Sequence, residues 1–421
     1  MSIYGFLIGI GIVIGIELIK RFNKDITYLN ILFLLLCTLI GARLLFILHN
    51  IQEIKDGVIN PIAIWDGGLA FYGGVIGLLI SILIISKYKK LHILNLSDSI
   101  FLFLPLIHAI GRVGNLFNYE LFGKPTSLPW GIYIPKEYRT ESVIEYTHYH
   151  PVFAYESILN ILNFLILIYL NKRFKKKGLI TGVYFINYSI IRLLMNTLRV
   201  DKEYFVGLET SSMFSFLFLV SGILILIFIM NNQIKDKIAT FISKPVTLLL
   251  LLSAILSILI NTNTPFLIKL LLILFTFVIP LLSMFLLRAL GLTSDFGVSK
   301  REERPKLLLP MAISFTIALV VSLLSSSALL STVYIVLVLV FLIGSLITFF
   351  WKISFHMIWS TLAIFFIIYS WQIPYLYYLV LFLPFIGWSR IQLNKHTLGQ
   401  VIVGFIITFV CILSVLTLVK F

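Results

Sequence analysis

The sequence predicts an all-α, polytopic integral membrane protein, with about 14 transmembrane helices in two helical domains. Two observations carry this. Of the 421 residues, 60% are hydrophobic and only 12% charged, a balance far from that of soluble domains. Apolar runs close to the roughly 20 residues that cross a bilayer also recur along the whole chain. They lie at 3–19, 28–48, 68–86, 98–118, 152–170, 178–199 and 213–230, and then at 246–261, 265–289, 307–325, 329–350, 356–371, 374–388 and 398–419.

The first run has no basic residue before it and Lys20, Arg21 and Lys24 after it, so it reads as a retained helix and not a cleaved signal. The net charge of +15 does not point to nucleic acid, and no such partner is expected, because the basic residues form short clusters between apolar runs. Those clusters set topology. Placing 20–24, 87–90, 171–177 and 231–237 in the cytoplasm puts Met1 outside and leaves the loop 119–151 external. Cys37 and Cys411 lie in separate apolar runs, so neither a disulfide framework nor a metal site is expected.

Charges inside membrane helices are costly and are kept for function or for pairing; Arg43, Arg112 and Arg192 are such charges. In GRVGNLFNYE (111–120), Arg112, Asn115 and Tyr119 fall at i, i+3 and i+7, so a continuous helix would put a cation and an amide on one face. A guanidinium stays charged when buried and offers paired hydrogen bonds to a phosphate; structural pairing of Arg112 is the alternative. The glycine pairs Gly67–Gly68 and Gly73–Gly74 flank Phe71 and Tyr72 and read first as helix-packing devices. Arg192, Asn196 and Arg199 form a second stripe at i, i+4 and i+7, with Arg199 near the outer boundary, where it binds an anionic headgroup or snorkels to the interface. His150 stands at the entrance of the fifth run, followed by Tyr155 and Glu156.

Taken in order and spacing, GAR (41–43), GGLAFYGG (67–74), GRVGNLFNYE, GKPTSLPWG (123–131), HPVFAYE (150–156) and the Arg192/Arg199 stripe resemble the motifs of prolipoprotein diacylglyceryl transferases over residues 1–233. The resemblance implies seven spans in a bacterial cytoplasmic (inner) membrane, with a site open to the outer leaflet. It also implies phosphatidylglycerol as donor, the lipobox cysteine of a preprolipoprotein signal peptide as acceptor, and no cofactor. By motif match, Arg112 and Arg192 hold the phosphoglycerol, Asn115 and Tyr119 lie beside them, and Arg43 and Arg199 join the binding set. Two positions depart from the pattern: Tyr72 stands where many members carry His, and Asn196 where Glu is common. Proton removal from the thiol then falls to Tyr72 with an arginine, to His150, or to water.

Beyond a polar linker at 234–244 the chain continues to residue 421. Polar residues of this second half gather at 294–305, 351–356 and 389–396. Arg304, Lys352, Ser354, His356, Arg390 and His396 supply cations, a hydroxyl and two imidazoles, the groups that phosphomonoester cleavage requires. Their spacing resembles the phosphatidic-acid phosphatase type 2 family over 245–421. That resemblance implies nucleophilic attack by His396 and leaving-group protonation by His356, with Arg304, Ser354 and Arg390 around the phosphate of a lipid phosphate; Lys352 joins the substrate-binding set as a nearby cation. Gln400 stands in place of an orienting Asp, so a less basic and less well oriented His396 is expected, and Lys300 or Arg301 is the candidate for a missing cation. The rival readings are an anion or lipid transporter, which would show related halves, and a lipoprotein-binding scaffold without activity.

Overall fold

The computed structural model describes residues 3–63, 67–202, 204–205, 208–243, 264–294, 301–325 and 327–418. Ten helices among them are long and apolar enough to cross a membrane, and the protein is all-α and multi-pass. The expected span at 246–261 lies outside the described residues. The chain divides into two compact units, Met1–Ile229 and Met230–Phe421.

The first unit opens with α1 (Ile3–Phe22) and α2 (Tyr28–His49). Thr27 starts α2 by a reciprocal cap: its hydroxyl accepts from the Asn30 N–H at 3.3 Å and its own N–H donates to Asn30 Oδ1 at 3.1 Å, satisfying two donors that a helix end leaves open. A short α3 (Ile51–Lys55) leads to α4 (Phe71–Lys89), α5 (Ile93–Phe101) and α6 (Leu104–Gly114). The expected single face of Arg112, Asn115 and Tyr119 does not form. The helix stops at Gly114, Asn115 is its cap, and Tyr119 has a left-handed backbone (φ 53°) with its ring exposed beside Tyr138. Glycine and asparagine at 114, 115 and 118 favour termination over continuation.

The loop 119–151 folds on itself. Strands β1 (Ile132–Tyr133) and β2 (His148–Tyr149) pair antiparallel, and Phe122, Ile134 and Tyr149 form a small core. Helices α7 (Val152–Arg173) and α8 (Leu179–Asn196) follow, then a hairpin of β3 (Tyr204–Phe205) and β4 (Leu208–Glu209), and α9 (Thr210–Ile229). Buried Asp98 of α5 tethers the start of α8, accepting from the Gly178 and Thr181 N–H groups at 2.6 and 2.8 Å and from the Thr181 hydroxyl.

Helices α2 and α4 cross on glycine. A Cβ on Gly41 would run into the Gly73 carbonyl, one on Gly73 into the Gly41 carbonyl, and one on Gly77 into the Cys37 carbonyl; this is backbone-to-backbone packing that only small residues allow. Gly73→Val is therefore expected to force the pair apart at a cost on the order of 1–3 kcal/mol, read as a lower thermal midpoint in detergent. An unchanged midpoint would contradict the crossing.

The second unit begins with α10 (Asn232–Phe241), capped by Asn231, whose side chain accepts from the Ile234 N–H at 2.9 Å. Most of the segment read as a polar linker is thus helical. Next come α11 (Phe266–Ile273), one wide π turn (Leu274–Val278) and α12 (Ile279–Ala289). Pro280 has no N–H to return to Thr276, and the wider turn accommodates that gap. Helices α13 (Arg304–Leu324), α14 (Ala328–Phe350), α15 (Phe355–Trp371), α16 (Leu383–Gln392) and α17 (Leu398–Leu418) complete it. The run 374–388 is not one helical span. A nine-residue 3-10 helix from Pro374 gives way to the ten-residue α16, which has Pro384 in its first turn.

Candidate functional sites

In the first unit the centre is a carboxylate that the sequence reading did not place in the site. Glu156, in the first turns of α7, is buried; Arg112 of α6 binds its Oε2 through Nε, and Arg192 of α8 binds its Oε1 through Nη1 at 2.9 Å. Two guanidiniums thus share one carboxylate, leaving a local excess of one positive charge. The Arg192 Nε is buried with no hydrogen-bond partner, which leaves a donor in place for an anion. The Arg112 side chain is 26% exposed against 13% for Arg192, so it forms the more accessible lip of the site.

Around this centre the other sequence candidates take different places. Asn115 is buried and donates to Glu120 at 3.3 Å. Tyr72 is buried, donates its hydroxyl to the Ser211 carbonyl at 3.2 Å and stacks on Phe214 with ring centroids 4.1 Å apart. Asn196 donates to Ser212 Oγ at 3.2 Å, and the Ser211 and Ser212 hydroxyls both donate to Glu209, each at 3.0 Å. A carboxylate from the hairpin therefore reaches Asn196 through a hydroxyl.

Arg199 is buried and bound through Nε and Nη2 to Asp201, while its backbone bridges to Gly123 of the 119–151 loop. His150 sits in the same loop–helix junction, its Nδ1 3.2 Å from the Tyr155 hydroxyl, which also receives the Trp130 indole N–H at 2.8 Å. Arg43 is turned to the chain itself. Its guanidinium donates to the carbonyls of Asn60, Pro61, Gly67 and Gly68 at 2.7–3.0 Å and lies over the Phe46 ring. The positive φ of Gly67 and Gly68 (88° and 72°) is a backbone conformation that glycine adopts readily, so this arginine pins the chain at Asn60–Pro61 and at Gly67–Gly68.

Sequence reasoning also missed His108, one turn before Arg112 on α6. A lone histidine in an apolar run carries no spacing signal of its own. Its neighbours Arg112 and Glu156 are apparent only once α6 and α7 pack together.

In the second unit the polar segments converge around two imidazoles. Arg304 donates to the Ile353 carbonyl at 3.1 Å and lies over Phe355; Arg390 donates to Ser243 at 2.5 Å. His396 acts on His356, and both feel the charges of Arg304 and Arg390; Lys352 acts on His396. Ser354 Oγ and Arg390 Nε are buried without a hydrogen-bond partner. The expected poor orientation of His396 meets a substitute: Gln400 Oε1 lies 3.1 Å from Nδ1 and also accepts the Thr397 N–H at 3.2 Å. Since that oxygen can only accept, Nδ1 carries the proton and Nε2 is the free nitrogen. Burial first, then the cations Arg390, Lys352 and Arg304, hold the His396 pKa down to about 4, which leaves the ring neutral at neutral pH. Lys300 and the Arg301 side chain lie outside the described residues.

A multi-pass bundle whose buried arginines share a carboxylate, with a donor left over for an anion, is of the class of membrane-embedded proteins that bind an anionic group. The profile of the prolipoprotein diacylglyceryl transferase family matches residues 1–228, more than half of the chain, and the chain belongs to that family. It is similar to the phosphatidylglycerol–prolipoprotein diacylglyceryl transferase of Synechocystis, 38% identical over 211 residues, covering 47% of this chain and 75% of that one. The Thermotoga petrophila enzyme of the same name is 38% identical over 187 residues, covering 44% and 64%, and that of Synechococcus elongatus 33% identical over 254 residues, covering 57% and 88%. The chain thus spans slightly less than two thirds of the Thermotoga relative.

Proposed function

We propose that the first unit transfers the diacylglyceryl group of phosphatidylglycerol to the lipobox cysteine of preprolipoprotein signal peptides. It would work in a bacterial cytoplasmic (inner) membrane, with the N-terminus outside. The observation that carries this is the Arg112–Glu156–Arg192 centre with its unfilled donor. Arg112 and Arg192 bind the bridging phosphate of the lipid. The substrate thiolate attacks the glyceryl carbon, the C–O bond to phosphate breaks, and the charge that gathers on the leaving glycerol phosphate is met by the two guanidiniums. Glu156 holds both cations at the geometry the phosphate needs, and Asn115 and Asn196 extend the polar lining. The test is transfer to a lipobox peptide, read as the mass of one added diacylglyceryl group on its cysteine.

A second reading concerns the second unit, and the unpartnered Ser354 Oγ and Arg390 Nε beside two imidazoles favour it. That unit hydrolyses a lipid phosphate such as phosphatidylglycerol phosphate. His396 Nε2 attacks phosphorus as the P–O bond to the lipid breaks, protonated His356 gives its proton to the leaving alkoxide, water then cleaves the phosphohistidine to release phosphate, and Arg304, Lys352, Ser354 and Arg390 surround the phosphate oxygens. Because the His396 pKa is depressed to about 4, the nucleophile is in its reactive neutral form throughout the range above that value. Its contribution to the rate is expected to be flat from pH 6 upward and to fall as pH drops through about 4, with phosphate release reduced by about 10³-fold or more in His396→Asn. Absence of phosphate release from the unaltered protein would sink this reading without touching the first.

A further inference from the structure

We propose that His108 takes the proton of the incoming thiol; the assignment rests on the transferase reading above. His108 and Arg112 stand at i and i+4 on α6, which puts their Cβ atoms about 5–6 Å apart on one face. The ring lies against Phe71 and Tyr188, at centroid distances of 5.5 and 5.8 Å, and the charges acting on it are those of Arg112 and Glu156. The imidazole is therefore part of the arginine–carboxylate centre.

The other titratable groups of this centre are occupied. Glu156 is shared by two guanidiniums, Tyr72 gives its hydroxyl proton to a carbonyl, and Glu209 is held by two serines. Glu156 from α7 acts on His108 and Tyr188 from α8 lies against its ring, with Arg192 and Tyr72 acting in turn on Tyr188, while α1 brings Gly11 and Gly15 against the neighbouring Ile107. Among the described residues no hydrogen bond engages the His108 ring nitrogens, so the ring is available for proton exchange. In the step itself the S–H proton moves to the imidazole and the sulfur electron pair forms the C–S bond. The C–O pair leaves on the phosphate oxygen, and the imidazolium returns its proton to the departing phosphate or to water. The Glu156 carboxylate offsets the transient charge on the ring.

The test compares full-length protein, His108→Gln and Arg112→Ala in detergent containing phosphatidylglycerol and a lipobox peptide, with rates from pH 6.5 to 9.5. Loss of a general base is expected to slow transfer at pH 7 by about 10²–10⁴-fold. The deficit of His108→Gln then shrinks to within about tenfold by pH 9.5, because the peptide thiol ionises unaided near pH 8.5, whereas Arg112→Ala stays impaired at every pH. A wild-type rate for His108→Gln at pH 7 overturns the assignment. So does a deficit that does not change with pH, with or without a lowered thermal midpoint, since the ring would then serve packing. No transfer by the unaltered protein at any pH overturns the transferase reading and this assignment with it.

Discussion

Glu156→Ala is expected to produce the largest loss of stability of any single substitution in the first unit, about 3–5 kcal/mol, together with loss of activity. Its carboxylate is the shared partner of Arg112 and Arg192 in a buried setting. Removing it leaves two like charges facing each other inside a membrane bundle with no counter-charge, and truncating one partner of a buried pair costs far more than the pair contributes. Glu156→Gln keeps the shape and some hydrogen bonding but not the charge, and is expected to fall between alanine and the unaltered protein. The check is the thermal midpoint of each variant in detergent. A Glu156→Ala midpoint equal to that of the unaltered protein would show that the arginines do not depend on this carboxylate.

Arg112→Ala is expected to separate chemistry from folding. The remaining Arg192–Glu156 pair is neutral and intact, and the Arg112 side chain is the more exposed of the two, so the midpoint should move little. Transfer should nevertheless fall by about 10³-fold or more, because a cation aimed at the charge developing on a leaving phosphate acts mainly in the transition state. Arg112→Lys recovers only part of this, since an ammonium lacks the planar pair of donors. If Arg112→Ala retained more than a tenth of the rate, Arg192 alone would be sufficient and the two-guanidinium account would fail.

Much of the architecture is legible in the apolar runs, because a helix in lipid must satisfy its backbone internally and needs a fixed length. The same rule explains where reading fails. The run 374–388 has the composition of a span but carries Pro374 and Pro384, and breaks into a 3-10 helix and a short helix. An unbroken helix would put Tyr119 on the Arg112 face, yet Gly114 and Asn115 end it. Arg112 and Arg192 announce themselves as intramembrane charges, but Glu156 lies 36 residues from Arg192 along the chain, and only the packing of α6, α7 and α8 makes it their common partner. Arg43 announces itself equally loudly and is turned instead to the carbonyls of its own loop. In each case the missing information is three-dimensional: a charge in a helix is visible in sequence, whereas what it meets is not.

The most direct test of the central claim is mass spectrometry of a lipobox peptide after incubation with the purified protein in detergent containing phosphatidylglycerol. The account predicts the mass of one added diacylglyceryl group on the cysteine, lost when Arg112 is replaced by alanine. A peptide that returns unmodified from the folded, unaltered protein would contradict it.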